Sequence, residues 1–190
     1  MSPDDKRQEM LERRSTLPES LVRESSSTVL SLLEGLPEFR EAELIAAYVG
    51  IRGEIDPSAL VGSCGKRVAL PVILPDGELE FMLAAGPMAS GPFGTSQPEG
   101  GDVVQAADLD LALVPLVLAD VSGNRIGHGR GYYDRAFSSR LTGPAPPVLV
   151  GLAHGFQVVP TIEPRPWDVR LDIVLTDEGI LRPEPPIGED

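Results

Sequence analysis

Two apolar runs constrain this chain most. Leu109 to Leu118 is broken only by Asp110 and Pro115, and Val148 to Ala153 carries no polar side chain. Strands that are apolar at every position have no solvated face, so both runs predict central strands of a covered, parallel sheet. Leu171 to Thr176 predicts a further strand, and Leu44 to Val49, Arg67 to Ile73 and Leu79 to Leu83 predict three more. Pro71 cannot donate a ladder bond, which places Arg67–Ile73 near an edge or an end. Pro75-Asp76-Gly77 supplies the turn of a hairpin with Leu79–Leu83.

Helical segments alternate with these strands. Asp4 to Arg14 is polar and helix-prone. Thr16 and Pro18 mark a new start, as cap and first-turn residue, and Leu21, Val22, Val29, Leu30, Leu32, Leu33 and Leu36 recur at helical spacing until Gly35 and Pro37 end the pattern. Asp56-Pro57-Ser58 predicts a capped helix to about Cys64, and Tyr132 to Leu141 predicts another. Gly86 to Asp102, rich in Gly, Pro and Ser, reads as a long surface loop of the functional or mobile kind. The expected architecture is α/β: an open, mostly parallel Rossmann-like sheet with helices on both faces, in one domain. That domain spans 1–180, and 181–190 is expected to be a flexible tail.

The chemistry concentrates in Arg125-Ile-Gly-His-Gly-Arg-Gly-Tyr-Tyr-Asp-Arg135. Gly127, Gly129 and Gly131 alternate between an apolar strand and a helix start, an order that points backbone N–H groups at an anion. Arg125, Arg130 and Arg135 add fixed charge, and Asp134 is suited to a phosphate-bound magnesium ion. The spacing is neither GxGxxG nor GxxxxGK[ST], and the bland alternative is a charged surface turn. The net charge of −13 argues against nucleic-acid binding. Within that acidic chain, seven of the 16 lysines and arginines lie in two short segments: Lys6, Arg7, Arg13 and Arg14, then Arg125, Arg130 and Arg135. Gathered cations suit a polyanionic ligand, although a basic helix face is more often merely solvated. The single cysteine, Cys64, excludes an intramolecular disulfide. No apolar stretch spans a bilayer and no signal pattern is present, so the expectation is a cytoplasmic protein without a membrane partner.

These motifs resemble the 5-formyltetrahydrofolate cyclo-ligase (5,10-methenyltetrahydrofolate synthetase) family over nearly the whole chain. The segment Asp110–Arg135 carries most of the likeness, with Tyr48, Glu54-Ile55-Asp56, Leu70-Pro71, Trp167-Asp168 and Asp172 beside it. The resemblance implies a NagB/RpiA-like three-layer sandwich acting as a monomer. It implies a ligase that converts 5-formyltetrahydrofolate to 5,10-methenyltetrahydrofolate with ATP and Mg2+, releasing ADP and phosphate. It also implies residue roles. Arg125, Arg130 and Asp134 would be catalytic, and Asp134 and Asp168 would hold the metal. ATP would meet Lys6, Arg7, Arg14, Arg125, Gly127, His128, Gly129, Arg130, Gly131, Tyr132, Tyr133 and Trp167. The folate would meet Val49, Glu54, His128, Gly129, Arg130, Gly131 and Tyr132. Without the resemblance, Glu54 reads as an acid preceding a helix cap, and His154 as structural.

The chain also departs from the family pattern. Pro3 stands at the usual lysine position, with Lys6 as a displaced substitute, and Gln97, Leu116 and Ala119 replace an acid, a glycine and a phenylalanine. The alternative is therefore a catalytically weak or inactive folate- or nucleotide-binding relative on the same fold. A regulatory protein built on the domain is disfavoured by the charge.

Overall fold

In chain order the structure, a computed structural model describing residues 3–184, begins with helices α1 (Pro3–Ser15), α2 (Glu19–Gly35) and α3 (Pro37–Glu41). Strand β1 (Leu44–Ala46), a 3-10 turn at Ser58–Leu60, and the hairpin β2 (Arg67–Ile73) with β3 (Leu79–Leu83) follow. Next come a small hairpin, β4 (Met88–Ser90) and β5 (Ser96–Pro98), then β6 (Val103–Val104), β7 (Leu111–Pro115), β8 (Leu118–Asp120) and β9 (Arg125–Ile126). Helix α4 (Tyr132–Ala136), β10 (Val148–Ala153), β11 (Val158–Val159), β12 (Ile173–Thr176) and β13 (Gly179–Leu181) complete the chain.

Eight strands form one sheet in the order β13-β12-β10-β7-β1-β2-β3-β6. The run from β12 to β2 is parallel, and β13, β3 and β6 pair antiparallel at the margins. A second sheet, β11-β8-β9, lies beside it. No helix among the described residues is long and apolar enough to cross a membrane.

Side chains alternate across each strand into two cores. One face, with Ile45, Val68, Leu70, Leu111, Leu113, Val150, Leu152, Ile173 and Leu175, is covered by Val29, Leu33 and Leu36 at α2 and Phe39 of α3. α2 packs there through a stripe at Ser25, Ser26, Val29 and Leu33, spaced as one helix face. The opposite face sets small residues, Ala46, Ala69, Ala112 and Ala153, among Leu44, Val114, Leu149 and Val174, and receives Phe137, Tyr133 and Ala136 from α4 and its C-terminal edge. Phe137 stacks on Phe81 with ring centres 5.5 Å apart.

Several expectations need correction. β2 is an interior strand. Pro71 is tolerated because it stands past Ala69, the last residue paired with β1. The apolar run from Leu109 divides at Pro115, which has no N–H to extend the ladder, and Leu118–Asp120 joins the second sheet instead. β1 stops at Ala46. Tyr48 then turns into the core and donates its hydroxyl to the Ile55 carbonyl. The helix expected over 56–64 is a single 3-10 turn. Asp56 accepts from Ser58 N as a cap would, but shares that oxygen with Gly50 N, and positive φ at Gly62 and Gly65 stops propagation. Thr16 does not cap α2: its hydroxyl donates back to the Arg13 carbonyl, and Pro18 holds the cap position. The loop at 86–102 contains the β4–β5 hairpin. α4 spans only five residues before a 3-10 turn at Ser138–Leu141. Leu181 closes β13, so ordered structure runs past 180; positions 185–190 of the expected tail lie outside the described residues.

Candidate functional site

The parallel strands deliver their carboxyl ends to one edge of the sheet, where open α/β sheets bind ligands. β1 leads to Tyr48–Glu54, β2 ends at Ile73, and β7 ends at Pro115. The glycine-arginine segment crosses this edge from β9 to α4. Gly129 and Gly131 adopt φ of 88° and 67°, and a Cβ on Gly129 would stand 3.5 Å from Arg7 Nη1. The N-terminal helix therefore reaches the loop through Arg7. Because α4 is so short, an anion held here would rely on arginines and on backbone N–H groups of the loop more than on a helix dipole.

Two cavities open here. The larger, about 520 Å³, is lined by the 125–135 segment, Arg7 and the 162–168 loop. Five arginines (7, 125, 130, 135 and 165) and three carboxylates (Asp134, Glu163 and Asp168) face it. That local surplus of positive charge stands out on a chain of net charge −13. The Nε of Arg7 is a buried donor without a hydrogen-bond partner. Asp134 Oδ1 accepts from Arg125 Nη2 at 2.7 Å and from Val169 N at 3.1 Å. Burial lowers the Arg125 pKa from its usual range, and Asp134 and Asp168 oppose that shift. Trp167, 58% exposed, sits on the rim beside Arg165. Among the described residues no three His, Cys, Asp or Glu side chains gather into a metal cluster. Two carboxylates on this arginine-lined cavity still suit magnesium, which takes few protein ligands and keeps waters and phosphate oxygens.

The smaller cavity, about 320 Å³, has largely apolar walls, including Leu11, Val49, Ile51, Ile73, Leu79 and Phe93, with Glu54 among them. Glu54 is 6% exposed and pairs with Arg14, which is 1% exposed. Burial raises the Glu54 pKa, against the opposing Arg14 charge and the Ile51 N–H. Pro115, His128, Arg130, Tyr132 and Tyr133 line both cavities, so the glycine-arginine loop is their common wall.

His128 stands on that wall as a neutral imidazole. Burial, then the charges of Arg14, Arg52 and Arg7, bring its pKa down to about 4. Arg14 Nη2 lies 3.2 Å from its Nε2. A guanidinium only donates, so Nε2 accepts and the proton resides on Nδ1. The 3.5 Å approach of Nε2 to Glu54 Oε1 is accordingly not an ion pair. Burial also raises the Tyr133 hydroxyl well above its usual range.

The remaining expected site residues fall as follows. Gly127 and Gly131 lie on the loop wall, Val49 lines the smaller cavity, and Arg7 lines the larger one. Lys6 is exposed and lines neither, being about 100° round α1 from Arg7. Arg14 faces Glu54 and not the arginine cavity, because its donors are engaged by Arg52 O, Leu116 O and Glu54. Arg13 lies over the Phe156 ring. Leu116 and Ala119 are core residues lining neither cavity, and Gln97 accepts from Ile73 N. His154 is structural, as expected: buried, with Nε2 2.9 Å from the Gly53 carbonyl. Sequence reasoning missed Arg165 and Phe93. Phe93 sits at the hairpin tip at φ 62°, with the Arg130 guanidinium 5.2 Å from its ring centre. Its only signal was the composition of the 86–102 loop.

Comparison with known proteins identifies the family and the fold. The family model described as 5-formyltetrahydrofolate cyclo-ligase matches residues 2–177. The 5-formyltetrahydrofolate cyclo-ligase of Haemophilus influenzae is 34% identical over 178 residues, covering 89% of this chain and 94% of that one. The Escherichia coli K12 protein of the same name is 29% identical, with 89% and 97% covered. Among solved structures, the 5,10-methenyltetrahydrofolate synthetase of Aquifex aeolicus superposes with a TM-score of 0.84 at 31% identity, covering 100% of this chain and 97% of that one. The Mycoplasma pneumoniae synthetase gives 0.73 at 25% identity, covering 93% and 99%. By family match, identity and fold together, the chain belongs to the 5-formyltetrahydrofolate cyclo-ligase family.

Proposed function

We propose that the protein uses ATP and magnesium to close 5-formyltetrahydrofolate into 5,10-methenyltetrahydrofolate, releasing ADP and phosphate. The observation that carries this reading is the shared wall. An arginine-rich cavity fit for a triphosphate and an apolar cavity with a buried carboxylate meet at His128–Tyr133. A reaction joining a phosphate donor to a flat heterocycle needs that adjacency.

In the proposed reaction the formyl oxygen attacks the γ-phosphorus and the bond to ADP breaks. The folate N10 then attacks the activated formyl carbon and gives up its proton, and the added phosphate leaves with the former formyl oxygen, carrying that proton away as the ring closes. Arg7, Arg125 and Arg130 offset the negative charge on the phosphates, and loop N–H groups fix their orientation. Glu54 accepts hydrogen bonds from adjacent N–H groups of the pterin, while Val49 and the apolar walls exclude water. Asp134 and Asp168 would hold magnesium, whose charge neutralises phosphate oxygens when bound. Neutral His128 adds no charge where the two ligands meet and offers its Nδ1–H as a donor.

The test is optical. Methenyltetrahydrofolate absorbs in the near ultraviolet and the formyl substrate does not. Enzyme with 5-formyltetrahydrofolate and magnesium should produce that band only when ATP is added. Saturable folate and ATP binding without the band would instead identify a non-catalytic relative.

A further inference from the structure

We infer that Arg14 is the positioning residue for the folate-facing carboxylate, fixing both the orientation and the charge of Glu54 without touching the nucleotide. The inference rests on the reading of Glu54 proposed above. Arg14 leaves α1 and is enclosed by two segments, the 52–54 turn and the chain at Leu116. Its Nε donates to the Arg52 carbonyl at 3.2 Å, Nη1 to the Leu116 carbonyl at 2.8 Å, and Nη2 to Glu54 Oε1 at 3.1 Å. The Glu54 turn is wrapped closely around it. Arg52 and Gly53 take φ of 50° and 76°, and a Cβ on Gly53 would stand 2.4 Å from the Arg14 carbonyl oxygen. A guanidinium this engaged cannot turn to a phosphate without giving up these three hydrogen bonds.

The arrangement leaves Glu54 a defined remainder of acceptor capacity. Oε1 is met by Arg14 and Oε2 by Ile51 N at 3.0 Å. An ionised carboxylate has about four acceptor positions, so about two remain for a ligand. Two parallel acceptors match a pair of adjacent N–H donors. Protonation would turn one acceptor into a donor and spoil the match. Burial and Asp56 favour that protonation, and Arg14 and the Ile51 N–H oppose it. Of the other groups around Glu54, His128 on the glycine loop is neutral, the buried Tyr48 and Tyr133 hydroxyls are raised above their usual range, and Arg52 and Arg130 line the same cavity without a side-chain hydrogen bond to it. Among the described residues Arg14 is the one cation hydrogen-bonded to this carboxylate.

Calorimetric titration separates the possibilities. The full-length protein and its Arg14→Met, Arg14→Lys and Glu54→Gln variants are titrated with 5-formyltetrahydrofolate and, separately, with Mg-ATP at pH 6, 7 and 8, with folding checked by circular dichroism. Arg14→Met should bind the folate on the order of tenfold more weakly at pH 6, the scale of a lost charge-assisted contact. Part of that loss should recover by pH 8, where the carboxyl ionises unaided, and ATP affinity should stay within about twofold. A merely structural arginine would give a loss that does not vary with pH. That result, or an equal loss for ATP, overturns the inference. If Arg14→Met does not fold, Arg14→Lys decides: a loss confined to the folate supports the role, and unchanged folate affinity or a loss for ATP overturns it. If Glu54→Gln binds the folate as wild type does, the reading of Glu54 itself fails. If Glu54→Gln weakens folate binding and the arginine variants do not, only the role of Arg14 fails.

Discussion

His128 should make the folded protein sensitive to mild acid, and the size of the effect follows from its surroundings. In the unfolded chain its imidazole takes up a proton as the pH falls through about 6.5; in the folded protein it resists until about 4. Between those values the unfolded chain binds more protons, so stability is complete above the upper value and declines toward the lower. At 1.36 kcal/mol per pH unit, lowering the pH from 6.5 to 5 would cost about 2 kcal/mol. The side chain is 34% exposed, and water screens the three arginines that disfavour its charge, so about 1 kcal/mol is the reasonable expectation. The perturbation is His128→Gln, which keeps an acceptor for Arg14 and cannot titrate. Urea unfolding of both proteins at pH 7.5 and pH 5 measures the effect. The wild type should lose about 1 kcal/mol more than the variant between the two conditions. Parallel losses would show that His128 is either already charged or freely titrating, and the neutral Nδ1–H tautomer assigned above would be wrong.

Three further outcomes are expected. Asp134→Asn should lower turnover by two orders of magnitude or so while circular dichroism stays native, because it removes the proposed metal carboxylate and the partner of Arg125; unchanged activity across a magnesium titration would remove the assignment. Gly129→Val should weaken ATP binding more than folding, since φ of 88° disfavours a branched side chain and the added atoms would meet Arg7, and wild-type ATP affinity by calorimetry would place the phosphate cradle elsewhere. Arg7→Ala should raise the KM for ATP by about tenfold or more, the scale of a charge-assisted contact, whereas exposed Lys6→Ala should change it by less than about twofold; the reverse order would mean that Lys6 supplies the missing family lysine.

The elements legible in the sequence are those with strong local signals. Arg67–Ile73, Leu79–Leu83 and Val148–Ala153 form strands with those bounds, because an apolar run and a turn or proline cluster delimit each. β1 and the 56–64 segment were overdrawn because their endings depend on tertiary bonds, from Tyr48 to Ile55 O and from Gly50 to Asp56, which leave no periodic trace. The second sheet was invisible for a related reason: strands of two or three residues have no period to read. At the site, the glycine-arginine segment announced itself by alternation alone. Glu54 did not, and needed the family resemblance. In the sequence Arg14 groups with the other N-terminal cations, because its charge is evident there and its partner, 40 residues away, is not.

The two faces of the main sheet differ in how much they can change. Over Leu70, Leu113 and Leu152 the aliphatic side chains are long, and a swap of one for another can be absorbed by rotamer adjustment. Beneath Phe137 and Tyr133 the sheet presents Ala46, Ala69, Ala112 and Ala153, while a Cβ on Gly151 would already lie 2.5 Å from Leu171 Cδ1. One added methylene there has nowhere to go but outward, against α4 and the glycine-arginine loop beside it. In a library of core variants, substitutions on the leucine face should chiefly alter the melting temperature, whereas enlargements on the alanine face should shift the spacing between the two cavities before they unfold anything. Variation on that face should therefore tune the relative placement of the two cavities without replacing a residue that lines either.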